Sequence, residues 1–253
     1  MLEGDGKSVL WAGVISMDKF SNRLARTRRF SSIALLLPAG CALAVCCSGC
    51  GRGPAIAPAL TLKDPQEIEK ATKRGINIIT SGSDPYAVFG RTTKEVNQSI
   101  GQGVIVRTAA ICLPKEELAF QVAAAGDSTE AGAKRVADAA LRQINRQVRF
   151  TVVLQVLKSF KPEEVEFELC ASGLAKTYPP VAVDPPEFVA DVSSALDPDI
   201  PPMAVYGYNA YFPTAGSPGF PTIDVTVRQL TLVIKAGGAS AEVPFMLPSP
   251  TMQ

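Results

Sequence analysis

The 253-residue sequence contains no histidine at all. That removes the commonest general base, the Ser-His and Cys-His pairs of nucleophilic catalysis, and every metal or haem site built on imidazole. Lysine-assisted serine chemistry has no support either, because the single Ser-x-x-Lys, Ser16 to Lys19, lies in the extreme N-terminal stretch. A Walker phosphate loop is missing. Gly101-Gln102-Gly103 lacks the third glycine of a dinucleotide fingerprint and leads into a strand-like run, so it reads as a turn. Tryptophan occurs once, at Trp11. An uninterrupted apolar run long enough to cross a bilayer, about 20 residues, is also missing.

What is present begins with an address. Residues 23–30, RLARTRRF, carry four arginines and no acid, and residues 31–50 follow as SSIALLLPAGCALAVCCSGC. A basic segment, a short apolar segment and a small-residue exit make a secretory signal. The apolar stretch from Ile33 to Cys47 spans 15 residues and contains Pro38 and Gly40, short for a permanent anchor. Met17 gives a normal start for such a signal, and residues 1–16 add nothing signal-like. The exit Ser48-Gly49-Cys50 resembles the lipobox of bacterial lipoproteins, where small residues precede a lipid-bearing cysteine. The resemblance implies cleavage before Cys50 and acyl chains upon it, with Cys46 and Cys41 as alternative sites. Cys47 stands where that family usually has leucine. Several chains are needed for stable attachment, because one acyl group anchors weakly.

Residues 1–49 therefore read as start and signal, 50–63 as a lipid tether and 64–253 as one exported domain. From Cys50 onward 19 basic and 21 acidic residues remain, which leaves no basic excess to hold nucleic acid. Cys112 and Cys170 survive with Cys50, and an even pair in an oxidising compartment invites a disulfide between them.

Along the exported part, Asp64-Pro65-Gln66-Glu67 has the residues of a helix start, and the helix is expected to stop at Gly75. The segments 76–80, 103–113 and 118–124 read as strands. Residues 128–146 read as a helix, with Val136, Ala140 and Ile144 on one stripe. The strongest strand is 147–157, where Val148, Phe150, Val152, Leu154 and Val156 share a face. In 164–170, Glu164, Glu166 and Glu168 alternate with Val165, Phe167 and Leu169, which makes the acids a solvated outer face. Ten of the 20 prolines fall in 179–221, a loop-rich excursion with an edge strand at 204–212. Strands at 222–235 and 241–247 close the chain around Gly237-Gly238. The apolar parity of 222–235 flips at Arg228-Gln229, which calls for a bulge or a bend. Several antiparallel strands without βαβ alternation define the expected fold: mainly β, an antiparallel β-sandwich with one or two peripheral helices.

Candidate chemistry is sparse. Asp184, Glu187, Asp191, Asp197 and Asp199 could form a hydrolase pair, although Asp197-Pro198-Asp199 lacks the third acid and glycine of a calcium loop. Tyr206, Tyr208, Tyr211 and Phe212, with Phe220 nearby, offer an aromatic ligand surface or, for the three of shared parity, a core face. No cofactor or metal is implied. The expectation is a membrane-anchored envelope module without catalytic function that binds an envelope protein or polysaccharide. A carboxylate-dependent hydrolase of an extracellular polymer is the alternative.

Overall fold

In a computed structural model the chain is described over residues 57–90, 92–101, 103–172, 177–192, 201–214, 223 and 226–248. Two antiparallel sheets face each other. The first runs β1 (Thr93–Ile100), β2 (Val104–Cys112), β3 (Gln147–Leu157) and β8 (Met203–Pro213). Two shorter strands, β6 (Ala182–Val183) and β7 (Glu187–Val192), pair with the far side of β8. The second runs β10 (Ala239–Met246), β9 (Gln229–Ala236), β4 (Glu166–Ala171) and β5 (Thr177–Tyr178). The chain is a mainly β protein, a sandwich with a helical layer on one side.

The alternation read in 147–157 produces the centre of this arrangement. Phe150, Val152 and Leu154 of β3 meet Phe167, Leu169, Leu232, Ile234 and Phe245 of the opposite sheet in one core. Phe150 and Phe245 stack edge-on across the sheets at 5.4 Å between centroids. Each such side chain stabilises by roughly 1.5–3 kcal/mol through removal from water. The segment 204–212 is no edge strand. β8 pairs with β3 over its whole length, from Gln147 opposite Pro213 to Leu157 opposite Met203. Its prolines lie outside 203–212, so nothing in the strand interrupts a ladder.

Three helices form the third layer: α1 (Pro65–Ser81), α2 (Pro114–Ala125) and α3 (Glu130–Ile144). The Asp64 side chain caps α1 as expected, accepting from the Gln66 amide at 2.9 Å. The helix does not stop at Gly75. It passes through the expected strand 76–80 to Gly82, whose φ of 67° closes it with amide bonds to Ile78 and Ile79. Gly75 is buried against α2, where a Cβ would come within 2.7 Å of the Ala119 carbonyl. Residues 118–124 are likewise helix, not strand. Leu118, Ala119, Phe120, Val122 and Ala123 are all buried, because α2 lies between its sister helices and the aromatic turn at 85–89. With burial running through consecutive residues 117–120 and 122–123, no 3.6-residue apolar stripe stands out. α3 forms as read, with Thr129 as its cap.

The start of the fold is earlier than the sequence suggests. Ala57 and Leu60 lie in the sandwich core and Leu62 in the helical one, so the described start of the expected tether already belongs to the fold. The turn at 101–103 joins β1 to β2, with Gly101 and Gly103 at positive φ. β1 itself is polar and mostly exposed, which is why no alternation announced it.

Candidate functional site

The densest buried polar chemistry lies on the outer face of the first sheet, beneath the helices. Strand parity puts it there: while Phe150 and Val152 point into the core, Arg149, Thr151 and Gln155 point outward. The Arg149 guanidinium reaches one Glu117 oxygen through Nε at 2.9 Å and Nη2 at 2.7 Å. Both residues are buried, at 4% and 8% exposure. The guanidinium carbon also sits 4.6 Å from the Phe120 ring centroid and 5.3 Å from that of Phe89, which suits a delocalised cation. Gln121 donates to the other Glu117 oxygen at 2.6 Å.

Further side-chain hydrogen bonds lie beside this pair on the same face of the sheet. Tyr211 lies opposite Arg149, and Asn209 opposite Thr151. The Tyr211 hydroxyl donates to Asp184 Oδ2 at 2.9 Å, and Asn209 Nδ2 donates to the same oxygen at 3.2 Å. Thr151 donates to Asn209 Oδ1 at 2.9 Å, and the Cys112 sulfur is 3.7 Å from the Thr151 hydroxyl. Further along, Arg107 donates to Gln155 Oε1 at 2.7 Å and to Asn97 Oδ1 at 3.2 Å. Burial pushes the Tyr211 hydroxyl well above its ordinary range and the Cys112 thiol up to about 11. Cys112 therefore stays protonated at neutral pH and is a poor nucleophile. The row bonds largely within itself, although Arg149 Nη2, close as it lies to Glu117, has no partner in hydrogen-bond geometry.

The expected site residues scatter. Tyr208 and Phe212 are core residues; Tyr208 donates from its hydroxyl to the Pro162 carbonyl at 3.0 Å, and Phe212 meets Phe150 at 5.6 Å. Tyr206 is half-buried at the rim of that core against Phe188, 5.8 Å between rings. Tyr211 alone turns to the polar row, so the four make no common ligand surface. Asp184 belongs to the row, and Asp191 pairs with Lys158 at 2.8 Å. Asp197, Asp199 and Phe220 lie outside the described residues, as does Cys50. Glu164 occupies a short turn and Glu166 is exposed. Glu168 binds Lys235 at 2.5 Å, which holds its carboxyl below the ordinary value.

The disulfide expected between Cys112 and Cys170 does not form. Both thiols are free. Cys112 packs with Tyr86, Phe89 and Phe120 on the helical side of the first sheet. Cys170 alternates with the core residues Leu169 and Ala171 of the second. The core therefore separates the two sulfurs.

Exposed apolar side chains concentrate elsewhere. Among the described residues the large ones are Val181, Val183, Phe188, Val192 and Met246, and the first four lie in or beside β6 and β7 at one edge of the first sheet.

No protein family and no curated relative matches the chain. One solved structure is similar over 73% of this chain and 90% of its own, at 12% identity and a TM-score of 0.26. It is described as a novel protein of unknown function from Burkholderia pseudomallei. A likeness that slight supports no argument about fold or function.

Proposed function

We propose that the chain is a lipid-anchored envelope protein whose sandwich is a binding or structural module without catalytic function. The observation that carries this reading is the segment 23–50, an arginine-rich start and short apolar run ending in Ser48-Gly49-Cys50. Ala57 is already a core residue, so such an anchor would hold the folded domain within a few residues of the membrane. The charge balance after Cys50, 19 basic against 21 acidic residues, fits a lipid anchor better than electrostatic attachment to an anionic surface.

A binding role is supported by the way the polar groups are used. Asp184 and Asp191, the described members of the acidic cluster whose partners are named above, each hold a donor. A carboxylate committed to structural bonds is less available as acid or base, which weighs against the hydrolase alternative. Rigid sandwiches with unlike edges and faces suit recognition.

Intact mass of the protein extracted from membranes tests the anchor. The expected mass corresponds to a chain beginning at Cys50 with added acyl groups, and Cys50→Ser releases the protein into the soluble fraction. An unmodified chain that retains 23–29 would refute the reading.

A further inference from the structure

The four sheet edges are not alike. β1 carries Lys94 and a backbone irregularity at Asn97, whose φ is 48°. It leans on β10, with the Lys94 ammonium on the Pro244 carbonyl. β10 contains Pro244, which cannot donate to a further strand. β5 has two residues and runs into Pro179-Pro180. Lysine, proline, irregularity and shortness are how natural sheets discourage a foreign strand. At the remaining edge β6 is short too, two residues between Pro179-Pro180 and Pro185-Pro186, but β7 runs six residues without proline or lysine and with one register shift near Val189. Among the described residues no strand pairs with its outer side.

That edge also has a distinctive composition. Val181, Val183, Phe188 and Val192 are 36–48% exposed, an apolar concentration of the kind that marks an interaction surface. Residues 177–192 carry three acids, Asp184, Glu187 and Asp191, and no lysine or arginine. Lys158 offsets one of them, at Asp191. A second copy paired across this edge would bring like charges together, which costs stability. A strand of opposite charge would not.

We propose that β6 and β7 form a docking edge for an extended segment of another polypeptide with alternating apolar and basic side chains. This inference rests on the binding-module reading above and names its surface and partner class. The partner adds a strand: its backbone takes the open hydrogen bonds of the edge, its apolar side chains cover Val183 and Phe188, which share one face, and its basic ones meet Asp184 and Glu187 on the other.

The test uses the intact anchored protein in detergent and two labelled eight-residue peptides, one alternating valine with lysine and one alternating valine with glutamate. Fluorescence anisotropy should show binding of the lysine peptide only, weakened by salt. Binding should fall at least tenfold in the V183K/V192K variant and stay unchanged in M246K, which alters an exposed apolar residue on the other sheet. If the double variant does not fold, V181K carries the same comparison. Equal binding of the glutamate peptide, no binding of either, or indifference to the edge substitutions would overturn the proposal. A photo-cross-linking residue at 188, compared with one at 246 in the native envelope, separates the two claims. Adducts with another protein from 246 but not 188 would sink the edge and leave the module reading standing. Adducts from neither position would count against both, and an adduct joining two copies through 188 would overturn the heterologous partner.

Discussion

Arg149 and Glu117 bind each other under α2 with both side chains almost out of water, Nη2 at 2.7 Å from Oε2. The pair ties the helical layer to the sandwich, since Arg149 comes from β3 and Glu117 from the first turn of α2. A buried pair costs desolvation on both sides, and removing one partner leaves the other charge uncompensated. Glu117→Leu or Arg149→Met alone should therefore each cost about 3–5 kcal/mol in urea unfolding. The double variant should lose less than either single one. Losses that simply add would show that the two charges do not depend on each other.

Gly75 and Gly82 test two different uses of glycine in one helix. At Gly75 the φ is ordinary but the space is not: a Cβ meets Val122 side-chain atoms at 2.7 Å as well as the Ala119 carbonyl. Gly75→Ala should force α1 and α2 apart and cost about 1–3 kcal/mol. At Gly82 nothing lies within 4 Å, and only the φ of 67° resists a side chain. Gly82→Asn should be nearly silent, because asparagine tolerates that conformation. Thermal melts of the two variants decide it, and a harmless Gly75→Ala would disprove the close helix contact.

The free thiols differ in access and in acidity. Maleimide added to the folded protein should label Cys170, which is half-buried, well before buried Cys112. Unfolded Cys112 has an ordinary value near 9.0, while burial in the fold raises it to about 11. The folded state thus holds this proton more tightly. The stability linked to it is complete below pH 9, and falls as pH rises from about 9 toward 11. Cys112→Ala should flatten that part of the stability profile, most cleanly between pH 9 and 10, before the buried tyrosines contribute. An unchanged slope would remove Cys112 as its source.

Legibility in the sequence followed exposure. β4, β10 and α3 each have one wet face, and β3 sets polar residues against apolar ones on its covered outer face, so their periods could be read, and the fold class followed from them. The middle of α2 is covered all round, and its apolar run resembled a strand; the better signal was Leu113-Pro114 followed by Glu116 and Glu117, a proline and acids in a first turn. Four of the five residues 76–80 are β-branched, yet contacts of Ile76 and Ile78 with the helical cores hold them in α1. The Arg149–Glu117 pair escaped notice for a related reason. Its parity placed Arg149 with Thr151 and Gln155 on a face that sequence treats as solvent, and only the covering helix makes that face an interior.

The parity flip at Arg228-Gln229 is real, and its resolution is the start of a strand. β9 begins at Gln229, and Val227 and Arg228 precede it outside the ladder. Ser172 marks the place: its hydroxyl accepts from the Arg228 and Gln229 amides at 3.4 and 3.3 Å, and its own amide donates to the Gln229 carbonyl at 2.9 Å. Ile223 and Val227, of one parity, therefore reach the same core as Leu230, Leu232 and Ile234, of the other. Val225 lies outside the described residues. In one continuous strand, residues 227 and 230 would point to opposite faces, and with a single buried face one of them would tolerate truncation. The break predicts that neither does. Leu230→Ala should cost about 2–5 kcal/mol and Val227→Ala about 1–3 kcal/mol, while exposed Arg228→Ala stays within about 0.5 kcal/mol. Ser172→Ala, which removes only the hydroxyl at the junction, should cost on the order of 1 kcal/mol. Denaturant titrations of the four variants test the set. A silent Val227→Ala beside a damaging Leu230→Ala would restore the regular strand and the solvent-facing position it implies.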